Sequence, residues 1–488
     1  MTGIVSYSGY VPRYRLDRRK IFKAIGWMDP STASNMKGEK AVANSDEDSI
    51  TMAVAAGIEA LGEIDRSKVG GVYLASTSMP YKERLNAGIV TAALGLDDQV
   101  RAADFSGGLK AGTTALLAAL EGVEANGADN IMVCAADCRL GRPASAEEMI
   151  FGDAAAAFMV GHDDVLAEFK GSYSITCDFA DHFRGEFAKF DRKWEDRWIR
   201  DLGYDQFVPM AVKGLLTKYG LKITDFSKVI YDCHYGAERV KLNTMLGITP
   251  EMEQGNYQEQ VGHSGAAQSM IMLTGALDQA KPGDRLLVVS FGSGCDALYF
   301  AATENIAKKK NSRGITGSIA KRAELDVYEK YLVWRDILDA DMGMRSEEDL
   351  WTRWSLLWRK RKEVLGLWGS RCTRCGTPQL PAQRVCVNPG CGAIDKMEEY
   401  LFSNKKGKVV SFTGDMLAAS YNPPAVYGAV EFEGGGKFYF DFVDCTLQEV
   451  SMGMPVSLCF RKKYFDKKRG ISGYFWKAVP WKEDKENG

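Results

Sequence analysis

Histidine is scarce in this sequence: 488 residues carry four. Proton transfer near neutral pH draws first on imidazole, so each of the four can be weighed individually. An excess of either charge is also missing, since 62 lysines and arginines face 64 aspartates and glutamates for a net charge of -2. With no long block of like charge, an extended nucleic-acid or membrane surface is excluded, and small molecules and proteins are the expected partners. No apolar stretch approaches the roughly 20 residues that span a bilayer. The opening MTGIVSYSGYVPRYRL also lacks the charged-then-apolar profile of a signal peptide. A cytoplasmic enzyme is the expectation. The eleven cysteines do not suit a disulfide framework, which belongs to short secreted chains. Four cluster near the C-terminus; the others are scattered, mostly in apolar runs such as IMVCAADC around Cys134 and Cys138, where small buried thiols are the preferred reading.

What is present is ordinary globular composition, 45% hydrophobic and 26% charged, in a chain too long for one small core. Residues 1–302 alternate short apolar runs with longer helical ones. Strands are expected in VGGVYLAST near Val72, NIMVCAAD near Ile131, AAAAFMVG near Ala155, KVIYDCH near Val229 and RLLVVSFGSG near Leu286. Helices are expected over Ser49 to Leu61 and Ala111 to Ala125. This alternation predicts an α/β fold with a buried sheet, and ligands in such folds bind beyond the carboxyl ends of strands. Residues 303–327 turn polar and read as a linker. Residues 328–368 read as a helical brace in which Trp334, Trp351, Trp354 and Trp358 form a buried face.

The segment RCTRCGTPQLPAQRVCVNPGCG, in residues 369–398, sets Cys372, Cys375, Cys386 and Cys391 on two tight knuckles. Four soft thiolates so spaced close a tetrahedron around Zn²⁺ with no open position, which predicts a structural zinc and no catalysis there. Residues 399–488 carry five short alternating strands separated by Gly- and Pro-rich turns, as in a small closed barrel of the OB type. Arg461, Lys462, Lys463 and Tyr464 admit a nucleic-acid face on such a barrel. The slightly negative overall charge favours packing for that face instead.

STSMPY at Ser76, LKAGTTAL at Leu109, FGDAAAAFMVG at Phe151, DCHYGAERV at Asp232, GHSGAAQS at Gly262 and FGSG at Phe291 follow one another along the N-terminal region. Taken in this order, they resemble the motifs of the thiolase-fold condensing enzymes, and among them archaeal-type hydroxymethylglutaryl-CoA synthase. Residues from about 328 onward resemble the zinc-ribbon and OB-fold companion domain that accompanies thiolase-like enzymes, here fused. The resemblance implies a layered α-β-α-β-α fold, then a helical segment, a rubredoxin-like zinc ribbon and an OB-fold barrel. It also implies a CoA thioester as substrate and a homodimer, or a complex with a thiolase-like partner. By position in the family motifs, His234 and His263 are the catalytic candidates, and Leu109, Gly292, Ser293 and Gly294 the substrate-binding ones. Such a pair of imidazoles, with a backbone N–H of the Gly292–Gly294 loop, would donate hydrogen bonds to a thioester oxygen as an enolate develops. His162 and His182 have no such support and default to surface or loop roles.

Two departures from the family stand out. Leu109 occupies the position of the nucleophilic cysteine and cannot form an acyl-enzyme. Thr77 or its neighbours Ser76 and Ser78 stand where the family carries a glutamate acid/base. Ser106, Cys233 and Cys295 are the substitutes to consider as nucleophile, and Tyr235 or Tyr81 as proton shuttle. Three readings follow. The first is aldol or retro-aldol chemistry on a CoA thioester without acyl-enzyme formation. The second is a non-catalytic CoA-binding subunit of a thiolase or acyltransferase complex. The third is an acyltransferase with a displaced nucleophile.

Overall fold

The structure is a computed structural model that describes residues 1–308, 314–341 and 352–481. Residues 309–313 of the expected linker, and Trp351 of the expected brace, lie outside the described residues. The chain forms two compact units. The first comprises Met1–Asn44, Asp48–Val90 and Gln99–Tyr331, the second Ser45–Glu47, Thr91–Asp98 and Leu332–Gly488.

The first unit is built from β1 (Gly3–Tyr10), α1 (Ser49–Leu61), β2 (Val69–Ala75), β3 (Arg101–Phe105), α2 (Ala111–Glu124), β4 (Asn130–Asp137) and β5 (Ala154–Gly161). There follow β6 (Ala167–Thr176), α3 (Val208–Tyr219), β7 (Lys228–Tyr231), α4 (Gln268–Gln279), β8 (Arg285–Phe291) and β9 (Gly294–Ala302). These strands order as β7-β8-β9-β6-β1-β5-β4-β2-β3. Only two register pairs, Gly3 with Glu168 and Ile4 with Ala167, join β1 to β6, so the sheet divides there into two halves. Each half repeats one pattern. The series β1-β5-β4-β2 runs antiparallel, antiparallel, parallel, and β6-β9-β8-β7 runs the same way.

Strands β4, β5 and β8 are buried on both faces because both are covered. In β8, Val288 joins a core shared with α2 and α4, while Leu287 and Val289 join a second core with α3. Strands of both halves and the two central helices meet in the first of these cores, and α1 packs on the outer face of the first half. The layering is therefore α-β-α-β-α. Ile306 and Ile315, inside the stretch read as a linker, are fully buried in the central core. No helix among the described residues is long and apolar enough to cross a membrane.

In the second unit, β10 (Trp368–Cys372) pairs antiparallel with β11 (Pro378–Gln379) and β12 (Met397–Leu401). Five further strands, β13 (Gly407–Asp415), β14 (Ala425–Phe432), β15 (Lys437–Asp441), β16 (Pro455–Asp466) and β17 (Ile471–Pro480), form one antiparallel sheet in the order β15-β14-β13-β16-β17. The expected closed barrel is corrected here. Among the described residues its edge strands are joined beyond β15 by the Phe442–Ala478 bridge and the Val443 N–H bond to the Ala478 carbonyl, and not by a continuous ladder. Of the tryptophans expected on a buried helical face, Trp334 is buried and donates from Nε1 to the Tyr421 carbonyl at 3.0 Å. Trp354 and Trp358 are exposed on the short helix Trp354–Arg359, so that face is not buried as a whole. Two of the three cations read as a possible basic face are matched by acids. Arg461 is buried against Glu47 at 2.9 Å and Asp444 at 2.6 Å, and Lys463 reaches Asp441 at 2.8 Å.

Candidate functional site

In the first unit a cavity with about 490 Å³ of open space is lined by Leu109, His182, His234 and His263 among others. Its floor is the start of α2. Leu109 is buried just ahead of the helix, whose first turn has no side-chain cap. The turn between β8 and β9 presses on this point. A Cβ at Gly292 would lie 2.7 Å from the Leu109 nitrogen and 2.9 Å from that of Lys110, so only glycine permits the approach. Buried Asp296 on β9 locks the helix start from the side. It accepts from Lys110 Nζ at 2.9 Å and from Thr113 Oγ1 at 2.9 Å.

His263 enters from the turn before α4. Its backbone N–H donates to the Ile150 carbonyl at 2.8 Å, and its own carbonyl accepts from Gly152 N–H at 3.1 Å, so the FGD and GHSG motifs clamp each other. A Cβ at Gly152 would meet the Val261 oxygen at 1.8 Å. The ring nitrogen Nδ1 of His263 receives the Gly265 N–H at 3.3 Å and lies 3.4 Å from Arg139 Nη1. Both neighbours are donors, so Nδ1 carries the lone pair and Nε2 carries the proton. That Nε2 is buried without a partner, and burial holds the ring neutral, well below the usual imidazole range. His234 follows β7, with its ring 5.3 Å from that of His263 in a T-shaped arrangement and 3.9 Å from that of Tyr235, tilted by 36°. Burial, and next the nearby Lys193, push its pKa down to about 3.

Asp137, at the end of β4, ties the loops together. It accepts from Ser76 Oγ at 2.8 Å, from the Thr77 and Ser78 backbones at 2.8 and 2.9 Å, from their hydroxyls, and from Ala266 N–H at 2.7 Å. Thr77, Ser76 and Ser78 thus serve to hold the turn that presents His263, and none of them lines the cavity.

The structure brings Leu109, His234 and His263 together around one space, with Gly292 against the backbone of Leu109. Ser293 and Gly294 turn the β8–β9 hairpin, where Ser293 O accepts from Cys177 N–H, and neither lines the cavity. Ser106 is exposed. Cys233 and Cys295 are buried away from the space, and burial pushes both thiols up. Among the described residues that line the cavity there is no cysteine, serine or threonine. Tyr81 is not among them either. Tyr235 is, but its hydroxyl donates to Asp196 Oδ1 at 2.7 Å and burial raises its pKa, which holds the proton in place.

His182 was expected on a loop or the surface. It lies instead on a two-residue strand, His182–Phe183, paired with Arg192–Lys193. This hairpin delivers Asp181, His182, Arg192 and Lys193 to the cavity wall. The only local signal was the acidic neighbour, since His182 Nδ1 sits 2.8 Å from Asp181 Oδ2. A π-helical stretch, Ile199–Phe207, adds Ile199 and Tyr204 to the wall.

In the second unit the four thiols of Cys372, Cys375, Cys386 and Cys391 lie within 4.8 Å of one another. Cys372 and Cys391 are 3.9 Å apart and Cys375 and Cys386 3.4 Å apart at sulfur. Zn–S bonds of about 2.3 Å in a tetrahedron require S···S edges of about 3.8 Å, so the donor set fits zinc with all four positions filled by protein.

Residues 359–395 match the family model described as the ChsH2 rubredoxin-like zinc ribbon domain, and residues 402–461 the ChsH2 C-terminal OB-fold domain. The fold of the first unit is thiolase-like. The chain is similar to a solved hydroxymethylglutaryl-CoA synthase complexed with CoA, at a TM-score of 0.62 and 18% identity over 71% of this chain and 95% of that one. The hydroxymethylglutaryl-CoA synthase of Pyrobaculum neutrophilum is 32% identical over 69% of this chain and 97% of its own length. That of Methanopyrus kandleri is 36% identical over 62% of this chain and 88% of its own length. On these identities and coverages, the chain belongs to the hydroxymethylglutaryl-CoA synthase family.

Proposed function

We propose that the protein makes or breaks a carbon–carbon bond in a CoA thioester by aldol or retro-aldol chemistry, without passing through an acyl-enzyme. The relatives supply the substrate class, since they are named as synthases of a CoA thioester and a similar structure holds CoA. The observation that carries the reading is Leu109 at the helix start, in a cavity whose described wall has no cysteine, serine or threonine and whose Tyr235 hydroxyl is tied to Asp196. Acyl transfer in two steps needs a nucleophile there. Enolate chemistry needs an acid or base and a place for the developing oxyanion.

The second requirement is met by His263. A buried, neutral Nε2–H with no ground-state partner is a donor kept for an oxygen that gains charge in the transition state. His234 presents a second neutral imidazole beside it, and the N-terminal end of α2 adds a positive field at Leu109. In this reading Leu109 and Gly292 wall the acyl end of the substrate, while Ser293 and Gly294 hold the turn that places Gly292. The cysteine ribbon holds zinc as a structural ion and takes no part in the chemistry.

The test is to supply the purified, zinc-loaded chain with radiolabelled acetyl-CoA and, separately, with 3-hydroxy-3-methylglutaryl-CoA. Cleavage of the second to acetyl-CoA and acetoacetate, with no acid-stable label left on the protein by the first, is expected. His263→Ala should lower kcat by about 10²–10³-fold, the usual cost of an oxyanion donor. A stable acyl-protein would move the chain to the acyltransferases.

A further inference from the structure

Of the three imidazoles on the cavity wall, two are held in opposite tautomers. At His263, donors surround Nδ1, so Nε2 bears the proton. At His182, the partner of Nδ1 is the carboxylate of Asp181 at 2.8 Å. A carboxylate can only accept, so Nδ1 bears the proton of the neutral ring and Nε2 bears the lone pair. Asp181 and His182 both line the same space as His263. One ring is therefore a donor without a base, and the other a base held by a buried acid in the manner that fixes the histidine of hydrolytic triads.

We infer that His182, positioned by Asp181, is the proton-transfer group of this site and does the work of the family's missing carboxylate. The inference rests on the reading in the preceding section and adds to it the residue that carries the proton. In the cleavage direction, His182 Nε2 takes the hydroxyl proton of a β-hydroxyacyl-CoA. The oxygen's electron pair closes the new carbonyl as the C2–C3 bond breaks. The pair from that bond becomes a thioester enolate, with its oxygen facing His263 Nε2–H. The imidazolium of His182 then returns the proton to C2. The products are a carbonyl compound and a shortened acyl-CoA, and no oxidant, reductant or second base is consumed. The reverse sequence is the aldol addition. Asp181 touches no reacting atom; it is a positioning residue. The other acid of the described wall, Glu147, is engaged with Lys193 at 2.7 Å, and Asp196, behind the wall, accepts from Tyr235.

The experiment follows cleavage of 3-hydroxy-3-methylglutaryl-CoA by the full chain and by His182→Ala, His182→Gln and Asp181→Asn, each checked for zinc content and melting temperature. His182→Ala is expected to lose about 10²–10⁴-fold in kcat, the range for general acid–base groups, with KM little changed. Imidazole added to the solution should restore part of that loss in His182→Ala and none in Asp181→Asn, a response that a purely structural role would not give. A folded His182→Gln as active as the parent chain overturns the inference. So does a His182→Ala whose loss imidazole does not relieve. In both cases an inactive His263→Ala leaves the preceding reading standing. If the parent chain itself fails to cleave the probe, both fall together.

Discussion

The cysteine cluster and the histidine cavity solve opposite problems of chemistry. In the cluster, four identical soft donors from two neighbouring knuckles would saturate one ion, with nothing left over to react. In the cavity, the key atoms come from four separated segments and are defined by what they leave unpaired. His263 Nε2 is buried with its proton unclaimed, and His182 Nε2 is left as an acceptor by the Asp181 contact on the other side of its ring. A structural site is complete when every donor is satisfied. A reactive one is complete when its scaffold is satisfied and its working atoms are not.

Breaking the first side of that contrast should give the largest effect. Cys372→Ser leaves three thiolates, and structural zinc sites of this kind contribute on the order of 10 kcal/mol at neutral pH. Loss of zinc by metal analysis and an early unfolding transition for the second unit are expected. Unchanged zinc content and melting would show that the closed cluster does not hold the ribbon. The cavity offers a smaller, pH-dependent effect. His234 is held neutral down to about pH 3, whereas an imidazole in the unfolded chain titrates near 6.5. Between those values the unfolded chain binds a proton that the folded chain does not, so this group's contribution to stability is lost as pH falls through that window. The slope is below ~1.4 kcal/mol per pH unit, because the ring is half-buried and not sealed from water. Denaturant melts from pH 7 to 4 should show His234→Gln losing less stability on acidification than the parent chain. Equal slopes would mean that the imidazole is solvated.

The contrast also explains what could be read before the fold was known. The ribbon ligands were legible because metal knuckles are local, and so were the helix at Ser49–Leu61 and the buried strands, whose apolar runs carry their own length and boundaries. That His234 and His263 come together was legible through the motifs around them. His182 was not. What makes it a base is a tautomer set by Asp181 and a hairpin paired to Arg192–Lys193, and neither leaves a periodic trace. The role of Asp137 escaped for a similar reason, since its six hydrogen bonds reach two loops far apart in the chain. Tryptophan spacing misled in the other direction. Trp354 and Trp358 follow a helical interval yet face solvent, because that helix is a single short segment, Trp354–Arg359.

The central claim is that substrate is handled in this cavity without being tethered to the protein. Intact-protein mass spectrometry after brief mixing with acetyl-CoA tests it most directly, on the parent chain and on Leu109→Cys. The variant places a thiol at the uncapped start of α2, where the helix end favours a thiolate. The account predicts an acetyl adduct on Leu109→Cys and none on the parent chain. An acetylated residue in the parent chain, at Cys233, Cys295, Ser106 or elsewhere, would contradict it.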